Sequence, residues 1–157
     1  MKRTPLERRT PLRNRKPLRR STPPASPRPE PGGEGWAEWE ALRAAVHTRS
    51  GGRCEAGVVD KCRDRRGDFA RLGGHQAHHR KLRSRGGPDE VANLVAVCGY
   101  CHDWIHRHPR KATELGLIVP SWADPEVRGL IRPDGSVVLL DTDGGYVPVM
   151  DAPQVSA

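Results

Sequence analysis

A chain of 157 residues holds one domain of ordinary size, with little left over for a second. Hydrophobic residues make up 35% and aromatic residues 4%, while Gly and Pro number 17 and 15, which excludes a large self-sufficient core and calls for support such as a structural metal. The formal charge is +8 and no apolar run approaches the roughly 20 residues of a membrane helix, so a membrane span is excluded and a polyanionic partner is favoured.

The charge falls in blocks. Residues 1–31 carry ten Lys/Arg against two Glu, and residues 43–111 carry fifteen against seven acids, whereas residues 112–157 carry two against seven. Residues 1–35 read as a disordered basic arm: RTPLERR, RTPLRNR and KPLRR follow one another, and prolines every few residues block helix and central strand. Such an arm adds salt-sensitive, sequence-independent phosphate contacts. No hydrophobic stretch follows the basic N-terminus, so it does not read as a secretory signal. A cytoplasmic chain is expected, where paired thiols more often bind metal than form disulfides.

The first helix is predicted over Trp36–Thr48, with Trp36, Trp39, Arg43 and Val46 at helical spacing on one face, and Ser50-Gly51-Gly52 as its stop. Asp64–Gly74 is polar and without a clear period, a loop. Gln76–Leu82 and Leu94–Val97 are strand candidates joined through Gly86-Gly87, and Tyr100–His108 is a helix stopped by Pro109. A short helix is expected at Arg110–Leu115, ending at Gly116. Leu130–Arg132, Val137–Leu140 and Tyr146–Val149 alternate with Pro133-Asp134-Gly135 and Asp143-Gly144-Gly145, which favours a small antiparallel meander. The predicted class is α+β. Residues 1–35 form an arm, 36–118 the principal domain, and 119–157 a C-terminal extension with hairpins.

The chemistry sits between His75 and His108. Residues four apart lie on one helix face, so His102 and His106 can grip one divalent ion, and His78 on the preceding strand can close the site. His79 points to the other face of that strand and is available as a base. Cys54 and Cys62, with Cys98 and Cys101, offer a four-thiolate set of the kind that holds a structural zinc. The second pair has the usual two-residue spacing and the first is longer. Arg80, Lys81, Arg83 and Arg85 place four cations within six residues, a candidate nucleic-acid backbone clamp. His75 and His108 fall outside the register and read as surface residues, and His47 belongs to the first helix.

The ordered pattern His78-His79, Gly86-Gly87, Asn93-Leu94 and Cys98-x-x-Cys101-His102-x3-His106 resembles the HNH endonucleases, the ββα-metal or His-Me finger nucleases, over roughly residues 49–118. It is most similar to the small phage and prophage members with a four-cysteine zinc site. The resemblance implies a ββα-metal fold and metal-dependent hydrolysis of DNA that leaves 5′-phosphate and 3′-hydroxyl ends. His79 is then the general base, Asn93 braces the loop and helps orient it, and His78, His102 and His106 hold the catalytic ion, Mg2+, Mn2+, Ni2+ or Zn2+. An imidazole at position 78, where many members have Asp, leans toward transition metals. DNA is the implied partner, with phage packaging proteins as a further one. The contrasting expectation is a zinc-stapled nucleic-acid-binding module without catalysis.

Overall fold

In a computed structural model, residues 29–62 and 75–149 are described. Most of the expected arm and the Asp64–Gly74 loop lie outside them. Helix α1 spans Trp36–Ser50. Its last turn closes as expected of glycine past a helix end, with Gly51 at φ 59° and the Gly52 N–H donating back to the His47 carbonyl at 3.1 Å. Strand β1 (Gln76–His79) pairs antiparallel with β2 (Leu94–Val97), His78 facing Val95 and His79 facing Leu94 in register. Helices α2 (Gly99–Arg107) and α3 (Pro109–Glu114) follow directly. β3 (Leu130–Ile131), β4 (Val137–Leu140) and β5 (Tyr146–Pro148) then form a separate antiparallel sheet in the order β3-β4-β5.

The uninterrupted apolar run Leu94–Val97 is explained by burial on both faces. Leu94 and Ala96 pack with Trp39 and Val46 of α1. Val95 and Val97 point the other way, into a second cluster with Ile105, Leu117, Leu130, Val138 and Leu140. That second cluster contains Cys54, Cys62 and Cys101 as well, so the cysteine loop, α2 and the C-terminal sheet share one core. At roughly 1.5–3 kcal/mol for each fully buried aliphatic side chain, this two-faced strand is the organising element of the fold.

The free edge of β2 is closed by a side chain. Glu55, 3% exposed, accepts from the Ala96 N–H at 2.6 Å, while its own N–H donates to the Ala96 carbonyl at 2.8 Å. Its carboxylate also takes two bonds from Arg49, at 2.9 and 3.0 Å, and one from the Tyr146 hydroxyl at 2.7 Å. Arg49 continues to the carbonyls of Val91 and Leu94. The pair is buried, yet each charged group is fully hydrogen-bonded, the condition under which a buried ion pair is tolerable. It ties the end of α1, the cysteine loop, β2 and β5 at one point. Burial and the adjacent Glu55 push the Tyr146 phenol well above its usual range.

Contrary to expectation, Arg80 is not available to contact nucleic acid. Arg80 is 0% exposed and is spent inside the protein. Its guanidinium donates to the carbonyls of Gly116 (2.7 Å), Pro125 (3.1 Å), Arg128 (2.6 Å) and Gly129 (3.1 Å). Five fixed donors suit arginine to gathering several carbonyls at once, and they clamp the segment after α3 against the end of β1. Burial lowers its pKa to about 10, still protonated at neutral pH.

Candidate functional site

Helix α2 and its N-cap contribute to two groups of side chains that could each hold a metal ion, Cys98 and Cys101 to one and His102 and His106 to the other. Cys98 caps its N-terminus, accepting from the Cys101 N–H at 3.5 Å, and Cys101 and Ile105 are buried. His102 is partly exposed and His106 is exposed. The helix is thereby pinned by the cysteines while the histidines face an open side.

The sulfurs of Cys54, Cys62, Cys98 and Cys101 all lie within 4.8 Å of one another. Cys98 Sγ is 3.8 Å from Cys62 Sγ. A tetrahedral zinc with bonds of about 2.3 Å has sulfur–sulfur edges of about 3.8 Å, so the donor set fits the ion in chemistry and in size. The cysteines are free thiols with no disulfide between them. The Cys101 thiol donates to Cys54 and, with the N–H groups of Gly57, Cys98 and Ala56, holds the Cys54 thiol well below its ordinary range against the opposing effect of burial. Cys101, the donor, is pushed up by the same bond. Backbone N–H groups aimed at a sulfur stabilise a thiolate, the form zinc binds.

His78, His102 and His106 also bring ligand atoms within 4.8 Å. Nε2 of His102 and of His106 are 3.3 Å apart, about the edge of a tetrahedron with 2.0–2.1 Å metal–nitrogen bonds. The His78 ring meets both others edge-on at 5.3 and 5.4 Å between centroids. His78 is 2% exposed, and its Nε2 lies 3.0 Å from the Leu117 carbonyl. A carbonyl can only accept, so Nε2 carries the hydrogen and the ligand lone pair is on Nδ1. This outer bond fixes tautomer and ring orientation, as is usual for a metal-binding histidine. Burial, then the neighbouring His102, brings the His78 pKa down to about 3, which keeps it neutral. Three imidazoles fit a divalent transition ion and leave further coordination positions for substrate.

His79 is 7% exposed on the opposite face of β1. Its ring lies parallel to the Trp39 indole, 2° between planes and 5.9 Å between centroids. Its Nε2 is 2.6 Å from Asp89 Oδ1. Asn93 is 0% exposed. Its Oδ1 accepts from the Lys81 N–H at 2.7 Å, and its Nδ2 donates to the carbonyls of Lys81 (3.1 Å) and Pro88 (2.9 Å). The loop that follows His79 is therefore stitched to the start of β2. Gly87 sits where a Cβ would fall 1.7 Å from the Lys81 oxygen, so only glycine allows this close approach.

Of the remaining cations of the expected clamp, Arg85 is exposed and Lys81 partly buried. Arg83 binds Asp89 Oδ2 at 3.1 Å. His75 is partly buried rather than on the surface, edge-on to His47 at 5.4 Å. Burial, with His47 nearby, lowers its pKa to about 3. His108 is exposed and stacks on Trp104. Neither joins the metal set. Sequence reasoning missed Asp89, Trp39 in its contact with His79, and the Arg49–Glu55 pair. An acid closing a Gly-Gly-Pro turn is the one local signal that could have marked Asp89.

Residues 60–108 match the family model for HNH endonuclease. The match supports the HNH family and points to a nuclease. It covers His78, His79, His102 and His106, Asn93 and three of the four cysteines, Cys54 lying before it. No curated protein and no solved structure matches the chain.

Proposed function

We propose that the chain is a metal-dependent HNH endonuclease that hydrolyses DNA phosphodiester bonds, on a ββα-metal core stapled by a four-cysteine structural zinc. The observation that carries this reading is the convergence of His78, His102 and His106 within 4.8 Å, inside a segment that matches the HNH endonuclease model. His78, His102 and His106 hold the catalytic ion, which acts as a Lewis acid on the phosphodiester. His79 takes a proton from the attacking water, and an imidazole is the side chain suited to that task near neutral pH. Asn93 holds the loop that carries Lys81 and Arg85, whose cations face the phosphate backbone.

The basic arm expected over residues 1–35 adds phosphate contacts that weaken steeply with salt. Supercoiled plasmid incubated with the zinc-replete full chain tests the reading. Nicked and linear products with Mn2+, Ni2+, Mg2+ or Zn2+, abolished by EDTA, are expected. A chain that shifts the plasmid in a gel but leaves it supercoiled with every ion would be a binding module instead.

A further inference from the structure

Asp89 touches the base and has no place in the reaction as set out above. Resting on the nuclease reading, we propose that Asp89 is the positioning residue for His79, fixing its imidazole as the Nε2–H tautomer so that Nδ1 is the proton acceptor.

The geometry is specific. Asp89 Oδ1 is 2.6 Å from His79 Nε2, and a carboxylate offers only acceptors, so the hydrogen resides on Nε2 and the lone pair on Nδ1. The second oxygen, Oδ2, is held by Arg83 at 3.1 Å. Both oxygens are therefore anchored although the side chain is one-third exposed. Trp39, 4% exposed, fixes the plane of the imidazole by lying parallel to it. With the plane set by Trp39, the bond to Asp89 sets the remaining choice, because a ring flipped within that plane would put a carbon against the carboxylate.

Asp89 is itself placed by the loop. The Pro88 carbonyl is bound by Asn93 Nδ2 at 2.9 Å, and Gly87 before it packs on the Lys81 carbonyl. Asn93 thus reaches the base through Pro88 and Asp89. In the reaction, a water O–H bond breaks and the Nδ1–H bond forms as the oxygen adds to phosphorus. The phosphorus–O3′ bond breaks and the 3′ oxygen leaves with the electron pair, then takes a proton from solvent. The imidazolium keeps its Nε2 hydrogen on Asp89, which balances the charge without itself being protonated. Arg83 is accordingly committed to Asp89, which removes it from the phosphate clamp.

The test is nitrogen-15 NMR of the full, zinc-loaded chain, combined with plasmid nicking. The wild type shows His79 as the Nε2–H tautomer. Asp89→Ala and Asp89→Asn shift it toward Nδ1–H and lower kcat by roughly 10–10³-fold, with KM for DNA and the melting temperature little changed. The analogous loss for a buried catalytic dyad is roughly 10⁴-fold, and Asp89 is less shielded. Asp89→Glu recovers part of the turnover. An unchanged tautomer in both the Ala and Asn variants overturns the proposal, whatever the turnover does, and so does unchanged turnover alongside an altered tautomer. The spectrum decides the role of Asp89 even if no cleavage is found, an outcome that would overturn the nuclease reading instead.

Discussion

Asn93 and Lys81 bond to each other twice: the amide oxygen accepts the Lys81 N–H at 2.7 Å, and the amide nitrogen donates to the Lys81 carbonyl at 3.1 Å. A side-chain amide thus continues the β1–β2 ladder one step past the strands, next to the Arg80 N–H bond to the Asn93 carbonyl at 2.8 Å. Asn93→Ala would strand the Lys81 and Pro88 backbone groups in a partly buried loop. At roughly 1–3 kcal/mol for an unsatisfied buried group, with some relief from water, a loss of about 2–4 kcal/mol is expected in urea unfolding. Gly87→Ala should be at least as damaging, since its methyl collides with a backbone oxygen. A wild-type unfolding midpoint in either variant would show that the loop does not depend on this stitch.

The burial of Arg80 separates two classes of cation that look alike in sequence. Arg80→Met should cost roughly 3–5 kcal/mol, because four carbonyls lose a charged donor to which each bond is worth about 1.5–3 kcal/mol before relaxation. DNA affinity of whatever protein remains folded should be unchanged. Lys81→Ala and Arg85→Ala should leave stability within about 0.5 kcal/mol. They should each weaken DNA binding and reduce the slope of log affinity against log salt by about 1. Fluorescence anisotropy over a salt series, beside denaturant titrations, reads both. An Arg80 variant that unfolds like the wild type but loses salt-dependent affinity would restore Arg80 to the clamp.

What was legible in the chain followed from local rules. Val137–Leu140 and Leu94–Val97 fall as strands at the residues expected, because apolar runs bounded by turn residues leave little choice. The predicted strand Gln76–Leu82 stops at His79. Beyond it Arg80 is drawn to residues far along the chain: its carbonyl accepts from the Val119 N–H, and its side chain reaches Gly129. Contacts spanning 36 to 49 positions leave no mark on local pattern, so Arg80 among other cations read as surface. The side chains that converge as possible metal ligands stood out in the sequence because helix period and the Cys98–Cys101 spacing are local. The hydrogen-bond partners of the two strand histidines, Leu117 for His78 and Asp89 for His79, did not stand out.

The four-cysteine site should hold one tightly bound zinc per chain, distinct from the histidine ion. With an aliphatic core that shares Cys54, Cys62 and Cys101, removing the metal should resemble unfolding. Elemental analysis after mild EDTA treatment is expected to find about one equivalent of zinc still bound. Cys98→Ser should be poorly folded, since it removes the sulfur that faces Cys62 while a serine can still cap α2. Retention of near-native melting by that variant, with less than half an equivalent of zinc, would remove the staple.

His78 gives the EDTA-treated protein a pH-dependent stability of known sign. Its folded pKa is about 3, against 6.5 for the unperturbed group. The unfolded chain therefore binds this proton first. The contribution is complete above pH 6.5 and falls away progressively as pH drops from 6.5 toward 3. Between pH 8 and pH 5.5 this one group should cost about 1.4 kcal/mol, whatever its exact folded value. His78→Gln keeps a donor for the Leu117 carbonyl and does not titrate, so its stability should fall by that much less over the interval. Parallel pH profiles for the two proteins would mean that His78 is protonated as readily folded as unfolded, and that the bond to Leu117 does not hold it neutral.

Base and ligand should separate in kinetics. His79→Ala removes only the proton acceptor, and general base catalysis typically contributes roughly 10²–10⁴-fold, so kcat for plasmid nicking should fall by about that factor while metal and DNA affinities stay near wild type. His79 also packs on Trp39, so a modest drop in stability is expected and should be measured alongside. His106 is exposed and its loss should cost little stability, so His106→Ala should act on the ion: Mn2+ or Ni2+ titrated by calorimetry should bind at least 10-fold more weakly. Raising the ion concentration should then recover part of the activity of His106→Ala and none of that of His79→Ala. Rescue of both variants by excess metal would place His79 among the ligands, and rescue of neither would leave His106 with a role other than holding the ion.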